Sequence, residues 1–275
     1  MAPTSTSPTF TYAVVGHDEQ DTLANALKLA FDAARPGDEV WFVDSASTDA
    51  SVEVARGLGA EVRAAPLGKG RAMAVAFTSC RTDFVCFLDG DLEHAERNIA
   101  AELRDGVDDT GADMVVAEFR EPNRRLAVTP SIYHPLLRSL FPDLVDVQVA
   151  VPLSGFRAVR RRFGAGLPPG YGAETHLNLA VPLAGGTVAN REVGLFRGKL
   201  RGYANIPPIG IDVAAAMLDL AEQEGRLAGS ARPAWDAWVD AVVAVLRRQP
   251  PVGAEDAAYV EELLATAARP LPSPT

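Results

Sequence analysis

Short apolar segments alternate with helix-like segments through the first half of the chain. The apolar segments lie at residues 10–15, 39–43, 61–65, 83–88 and 113–117. Between them, helical spacing of apolar residues predicts helices at residues 18–34, about 48–58, 68–79 and 93–104. Because short apolar strands separated by helices pair in parallel and are covered on both faces, this order predicts an α/β domain built on a Rossmann-like sheet.

The second half of the chain has a different organisation. Residues 119–135 are polar and irregular, residues 147–153 and 187–193 are strand-like, and residues 173–183 have a helical pattern. Three further helices are expected at residues 209–227, 235–248 and 255–268, within a C-terminal helical extension that spans residues 207–267. The ends, residues 1–9 and 268–275, are rich in Pro, Ser and Thr and are expected to be disordered tails.

Composition narrows the class of partner. The chain has 275 residues with 26 Lys and Arg against 36 Asp and Glu, a formal net charge of −10, which argues against broad binding to nucleic acids or anionic membranes. No apolar run approaches the roughly 20 residues that span a bilayer, and residues 1–10 lack the basic and apolar parts of a secretory signal. The two cysteines, Cys80 and Cys86, make neither a disulfide framework nor a zinc site. We therefore expect a cytoplasmic protein with no nucleic-acid or membrane partner.

Charged residues stand where several predicted strands end. Asp44 ends the second strand, Lys69 lies between two glycines after the third, and Asp89-Gly90-Asp91 follows the fourth. In parallel sheets the ligand binds beyond the carboxyl ends of the strands, so these side chains are expected to converge on one edge. Two carboxylates separated by one residue can reach a divalent cation and a nucleotide ribose together, and Mg²⁺ or Mn²⁺ suits such oxygen ligands. The alternative is a solvated acidic turn with a helix-capping aspartate.

Two common nucleotide-binding motifs are absent. Gly68-Lys69-Gly70 lacks the upstream spacing and the following Ser or Thr of a Walker loop. The stretch Gly16-His17-Asp18-Glu19 replaces the Gly-x-Gly-x-x-Gly fingerprint after the first strand, which argues against a dehydrogenase.

The order of these motifs resembles a known enzyme family. Asp-Ser-x-Ser-Thr-Asp from Asp44, Gly-Lys-Gly around Lys69 and Phe-Leu-Asp-x-Asp-Leu around Asp89 are similar to the nucleotide-sugar domain of GT-A glycosyltransferases. The segments Pro152-Leu153-Ser154-Gly155 and Gly170-Tyr171-Gly172-Ala173-Glu174-Thr175 resemble glucosyl-3-phosphoglycerate synthase, with mannosylglycerate synthase a more distant relative. The resemblance covers roughly residues 12–203. It implies a GT-A fold with a mixed sheet, divided into a nucleotide-sugar-binding half at residues 10–118 and an acceptor- and sugar-binding half at residues 119–206.

The resemblance also implies site residues. Asp91 would hold Mg²⁺ or Mn²⁺, Glu174 would hydrogen-bond the donor sugar, and these two form the implied catalytic pair. A helix-terminal glutamate that only favours the helix dipole is the structural alternative for Glu174. The implied nucleotide-sugar site comprises Val15, Gly16, Asp18, Glu19, Asp44, Lys69, Asp89, Gly90, Asp91, Gly155, Tyr171, Glu174 and Lys199.

Two departures from the family pattern bear on cofactor and acceptor. Lys199 stands where the family has a histidine that completes the metal shell, and a protonated ammonium cannot ligate a cation, so metal dependence is uncertain. The acceptor segment keeps an arginine and a threonine but not their spacing. The acceptor-binding candidates are Arg124, Arg125, Thr129 and Arg201, whose arginines either bind a carboxylate or phosphate or are simply solvated.

The predicted function is transfer of a hexosyl group, glucose or N-acetylglucosamine, from a UDP-sugar with retention of anomeric configuration. The acceptor is a small or carrier-bound molecule, such as a glycerate-like acid or a specialised metabolite, and a homodimer is expected. A polyprenyl-phosphate sugar transferase, a non-catalytic nucleotide-binding scaffold and a sugar nucleotidyltransferase are the alternatives. The last is disfavoured because Gly16-His17-Asp18-Glu19 is acidic rather than basic.

Overall fold

The computed structural model describes residues 7–120, 127–147, 149–199, 203–248 and 257–275. Within these residues the strands are β1 (Phe10–Gly16), β2 (Glu39–Ser45), β3 (Glu61–Ala65), β4 (Phe84–Asp89), β5 (Leu92–Ala95), β6 (Met114–Arg120), β7 (Arg157–Arg160) and β8 (Val188–Gly198). They form one mixed sheet in the order β3-β2-β1-β4-β7-β6-β8-β5.

The α-helices are α1 (Leu23–Ala33), α2 (Ser51–Gly57), α3 (Lys69–Ser79), α4 (Ile99–Thr110), α5 (His134–Leu140), α6 (Ala173–Leu183), α7 (Ile206–Gln223), α8 (Arg232–Arg247) and α9 (Ala257–Ala267). A π-helical turn, Thr129–Tyr133, precedes α5, and short 3₁₀ turns lie at Pro142–Val147, Arg161–Phe163 and Tyr203–Asn205.

The first four strands confirm the parallel α/β prediction. β1 lies between β2 and β4, and β2 pairs with β3, all in parallel, so their carboxyl ends meet at one edge of the sheet. Apolar side chains of α1 and α4 pack on one sheet face, while those of α3 and α6 pack on the other. This two-sided packing buries the strands and leaves their polar ends at the rim.

The segment after β4 differs from the predicted helix at residues 93–104. It forms β5, which pairs antiparallel with β8, and the helix begins only at Ile99. Asn98 sets that start, because its side-chain oxygen accepts a hydrogen bond from the backbone N–H of Ala101 at 3.1 Å. The acidic turn therefore leads into an edge strand rather than directly into a helix.

The second half contains two further corrections. Residues 149–153 of the predicted strand 147–153 are irregular, and the strand in this region is β7, which runs antiparallel between β4 and β6. Part of the segment predicted to be irregular, residues 119–135, is instead the end of β6 and the π-helical turn before α5, while residues 121–126 lie outside the described residues.

The three predicted C-terminal helices correspond to α7, α8 and α9, with the start of α7 three residues earlier than expected. They share an apolar core with α5, in which Trp235 is fully buried. Residues 268–275 differ from the disordered tail that the sequence suggests. The Trp235 indole donates to the Ser273 carbonyl at 3.2 Å, and the Ala228 amide donates to the Pro274 carbonyl at 2.8 Å.

None of the helices within the described residues has both the length and the apolar character needed to cross a membrane.

Candidate active site

The carboxyl edge of the parallel strands opens into a cleft of about 690 Å³. Its far side is formed by the loop before α6 and by the first turns of α7. Of the residues predicted from the sequence, those that line the cleft are Val15, Gly16, Glu19, Lys69, Asp89, Gly90, Asp91, Thr129, Tyr171 and Glu174. The strand-end convergence expected from the sequence is therefore present.

Lys69 joins two carboxylates at the centre of the cleft. Its Nζ lies 2.8 Å from Asp89 Oδ1 and 2.6 Å from Glu174 Oε1. Burial alone lowers the pKa of Lys69, but the neighbouring Asp89 and Glu174 carboxylates outweigh it and raise that pKa above its ordinary value. The ammonium is therefore charged throughout the neutral pH range.

Three separate elements supply this cluster. Lys69 is the first residue of α3, Asp89 ends β4, and Glu174 lies in the first turn of α6. A carboxylate in the first turn of a helix interacts favourably with the helix dipole, and Glu174 occupies such a position. The Lys69 ammonium bridges the two carboxylates, and only 3 % of Glu174 is exposed. The cluster therefore forms the charged floor of the cleft.

Glycines permit the close approach of these elements. Gly70 donates its amide proton to the Gly170 carbonyl at 3.1 Å, and a Cβ on Gly70 would lie 1.8 Å from the Pro168 oxygen. Gly68 has a φ of +134°, which L side chains rarely adopt. The Gly68-Lys69-Gly70 motif thus holds the start of α3 against the loop that leads into α6.

Gly155 leaves the space that the Asp89 carboxylate occupies. It does not line the cleft, but a Cβ at this position would lie 2.1 Å from Asp89 Oδ2. Only a residue without a side chain leaves room for the Asp89 carboxylate, which explains why glycine follows Ser154 in this motif.

The Asp89-Gly90-Asp91 turn is held on both sides. The Gly90 amide donates to the Val15 carbonyl at 2.8 Å, and the Thr22 hydroxyl donates to the Gly90 carbonyl at 2.9 Å. At the end of β8, the Lys199 amide donates to the Asp91 carbonyl at 2.9 Å. The turn is therefore a fixed platform whose two carboxylates open into the cleft.

Lys199 adds positive charge beside this turn. Its Nζ lies 3.7 Å from Glu19 Oε2, although Lys199 itself is not part of the cleft lining. The structure thus brings together Asp91 and Lys199, the pair that the sequence departure singled out.

Asp18 and Asp44 lie outside the cleft lining. Their carboxylates hold the loop that joins β2 to α2. Asp18 has a φ of 55°, and its Oδ1 accepts hydrogen bonds from the amides of Thr48 at 2.7 Å and Asp49 at 3.2 Å. The hydrogen bond from the Thr48 amide is the main reason that the pKa of Asp18 is lowered. Asp44 Oδ1 accepts from the Ser47 amide at 3.0 Å. In the structure both carboxylates are bonded to loop backbone rather than aimed at the cleft.

The acceptor candidates are only partly placed. Thr129 lines the cleft, whereas Arg124, Arg125 and Arg201 lie outside the described residues.

Two residues that sequence reasoning missed hold the backbone of the site in position. Arg157 is fully buried; its guanidinium donates to the Glu174 carbonyl and to Asn178 Oδ1, each at 3.0 Å, and burial lowers its pKa. Asp212 Oδ2 accepts the Tyr171 amide proton at 2.8 Å and anchors the loop before α6. Arg157 stands between the apolar residues Phe156 and Ala158, which was a readable signal for the first, but nothing in the pattern of α7 marked the second.

The comparisons with known proteins assign this site to a class. A family model described as glycosyl transferase family 2 matches residues 13–164, more than half of the chain. The chain belongs to glycosyl transferase family 2. It is a glycosyltransferase with the GT-A fold, which confirms the fold and the family resemblance expected from the sequence. Comparison with curated proteins finds no match.

Solved structures of similar proteins agree with this assignment. Glucosyl-3-phosphoglycerate synthase from Mycobacterium tuberculosis, in complex with phosphoglyceric acid, is 26% identical with a TM-score of 0.69, over 77% of this glycosyltransferase and 79% of that chain. The same enzyme with Mn²⁺, UDP and glucosyl-3-phosphoglycerate gives a TM-score of 0.68 at 26% identity and the same coverage. Mannosyl-3-phosphoglycerate synthase from Rubrobacter xylanophilus, at 24% identity and a TM-score of 0.70 over 80% of this chain and 76% of that chain, shares the fold.

Proposed function

We propose that this glycosyltransferase moves a hexosyl group, glucose or N-acetylglucosamine, from a UDP-sugar to the hydroxyl of a small or carrier-bound acceptor, with retention of configuration. The observation that carries the proposal is the Lys69 bridge between Asp89 and Glu174 beside the Asp91 turn. It places one cation and three carboxylates where a sugar diphosphate would lie. The UDP complexes of the synthase from M. tuberculosis support the choice of donor.

Each side chain of the cluster has a chemical task in this proposal. Glu174 accepts hydrogen bonds from sugar hydroxyls and faces the positive charge that develops at the anomeric carbon. Lys69 orients Glu174 and Asp89 and favours the negative diphosphate. Charge fixed in place before the reaction stabilises the transition state without reorganisation. Arg157, bonded to the Glu174 carbonyl, keeps the first turn of α6 in position.

The bond changes follow from this arrangement. The bond between the anomeric carbon and the β-phosphate oxygen breaks, and the acceptor oxygen bonds to that carbon from the same face. The acceptor proton passes to the departing phosphate oxygen, so no base on the opposite face is needed. Glu174 as a covalent nucleophile is the second possibility for this step.

A divalent cation is compatible with the residues around Asp91. Within the part of the chain that the structure describes, no three His, Cys, Asp or Glu side chains form a metal-binding group. Mg²⁺ and Mn²⁺ nevertheless bind one or two carboxylates and complete their shell with phosphate oxygens and water. Asp91 would hold such an ion, which when bound supplies positive charge to the leaving diphosphate. Because Lys199 also brings charge to this turn, we expect metal to strengthen donor binding rather than to be required for it.

The proposal is tested by the slow hydrolysis of UDP-glucose and UDP-N-acetylglucosamine, which needs only water as acceptor. We expect one of them to release UDP, and Asp91→Asn to slow the release in the presence of Mn²⁺ by at least about 100-fold, because the carboxylate that would hold the ion beside the diphosphate is lost. Asp21→Asn, an exposed aspartate before α1, is the matched control and should change nothing. A wild-type protein that binds UDP but releases none from either sugar would instead indicate the non-catalytic scaffold.

A further inference from the structure

The cleft has an apolar wall that the proposed donor chemistry does not use. Leu153 and the first turns of α7, with Ile206 and Ile209, line the cleft opposite the Lys69 cluster. Ile206, Ile209 and Asp212 follow one another at intervals of three residues, which places them along one side of α7. The wall therefore ends in a carboxylate rather than in a basic residue.

This wall is held in place from behind. Leu153, Ile206 and Ile209 are each half-buried and pack against the apolar core of the helical extension. Val128, which also lines the cleft, belongs to the same core and is 6 % exposed. The remaining exposed surface of these side chains faces the cleft, so apolar area is available there for a ligand to cover.

The charge of the lining points to the kind of ligand. Among the described lining residues, Lys69 is the only lysine or arginine, and it already contacts two carboxylates. The carboxylates that line the cleft are Glu19, Asp89, Asp91, Glu174 and Asp212. A phosphate or carboxylate on the acceptor needs arginines or several N–H donors, and the donor diphosphate adds further negative charge. The described wall therefore offers an acceptor apolar surface and a carboxylate, and it is the apolar surface that a ligand can cover.

We propose that the acceptor is an alcohol with an apolar body, bound against Leu153, Ile206 and Ile209 beside Asp212. This inference rests on the proposed function and names the acceptor class of the same site. The apolar body covers the wall, and the hydroxyl points to the donor sugar above Glu174. Asp212, already fixed by the Tyr171 amide, tolerates a neutral group and favours an ammonium at the rim.

The test is calorimetric titration of the full chain saturated with UDP, using three probes: 2-phenylethanol, phenylalaninol and 3-phosphoglycerate. We expect both alcohols to bind at least about tenfold more tightly than 3-phosphoglycerate, with phenylalaninol the tighter because of its ammonium. Prior binding of UDP separates the two proposals, since a protein that does not bind UDP fails the proposed function itself.

Two variants on α7 sharpen the result. Ile209→Ser should weaken both alcohols by about tenfold through the loss of apolar contact and leave UDP affinity unchanged. Ile211→Ser is the matched control, because Ile211 lies on the same helix, is 40 % exposed and does not line the cleft. The proposal is overturned if neither alcohol binds, if 3-phosphoglycerate binds more tightly, or if Ile211→Ser weakens the alcohols as much as Ile209→Ser.

Discussion

The two sides of the cleft are built differently. The donor side consists of strand ends and the turns that follow them. Asp89 ends β4, Asp91 lies in the turn after it, and Lys69 begins α3 after β3. The apolar side is assembled from Leu153 and the first turns of α7, which are far apart in the chain and meet only when the helical extension packs. The donor side is charged and its backbone is cross-braced, whereas the opposite side presents side chains of a helix.

The donor side has a backbone geometry fixed by the sheet, whereas the apolar side is a surface of adjustable side chains. A parallel sheet dictates where its strands end, so the donor residues stay in register as long as the sheet forms. Side chains on one face of a helix can change without moving the helix, and the acceptor preference changes with them. Variants on the donor side should therefore affect both stability and turnover, and those on α7 should affect acceptor choice alone.

Lys69→Met should have the largest effect, because it leaves Asp89 and Glu174 without their shared cation. We expect UDP release to fall by about 10²–10³-fold and the free energy of unfolding to fall by about 2–4 kcal/mol at pH 8. Chemical denaturation at pH 8 measures the change in the free energy of unfolding.

Lys28→Met is the control for that prediction, since Lys28 is exposed on α1 and appears in no ion pair of the described residues. A stability loss in Lys69→Met that is no larger than the loss in Lys28→Met would contradict the charge-bridge account.

Glu174→Gln should lower turnover by about 10²-fold while leaving UDP affinity within about twofold, because the side chain faces the sugar and not the nucleotide. Glu53→Gln is the matched control: Glu53 also lies in the first turn of a helix, α2, but is exposed and does not line the cleft. If the two variants behave alike, the role of Glu174 is only to favour its helix dipole. Calorimetry for UDP and steady-state UDP release measure the two quantities.

Gly155→Ala should destabilise the chain by about 1–3 kcal/mol, because the new Cβ collides with the Asp89 carboxylate from 2.1 Å. Asp89 must move, so UDP-sugar affinity should fall as well. Gly229→Ala is the control, since no atom lies within 4 Å of its added Cβ. Thermal unfolding with and without UDP checks both effects, and equal melting temperatures for the two variants would contradict the packing described here.

The smallest effect is expected at Lys199. Lys199→His replaces a cation beside Asp91 with a neutral ligand for a divalent ion. We expect the affinity gained by adding Mn²⁺ to the UDP titration to grow by about fivefold to tenfold over the wild-type gain. Lys28→His, at an exposed position of α1 that does not line the cleft, should leave that gain unchanged. An unchanged gain in Lys199→His would show that Lys199 does not share the charge-balancing task.

The same contrast explains what the sequence could predict. Asp89, Asp91 and Lys69 follow periodic apolar strands, so their convergence is readable from the pattern alone. The contact between Lys69 and Glu174 was not readable from the pattern, because it depends on the packing of Gly70 against the loop at residues 168–170.

Elsewhere tertiary contacts overrode local pattern. The residues after Asp91 have a helix-like composition, yet β8 lies alongside and pairs with them as β5. Ile206 and Ile209 look like ordinary core positions of α7, and only the position of that helix makes them part of the cleft lining. The C-terminal residues were expected to fray because they are rich in Pro, Ser and Thr, whereas their hydrogen bonds to Trp235 and Ala228 arise from tertiary packing that no local pattern shows.

The central claim is that the charged side of the cleft is a UDP-sugar site, and calorimetric titration of the full chain tests it most directly. The ligands are UDP-glucose, UDP-N-acetylglucosamine, GDP-glucose and dTDP-glucose, each with Mn²⁺ and with EDTA. We predict selective binding of one UDP-sugar, strengthened by Mn²⁺ but retained in EDTA, and weakened by Asp91→Asn mainly in the presence of Mn²⁺. Folded protein that binds none of the four sugar nucleotides under either condition would contradict the account.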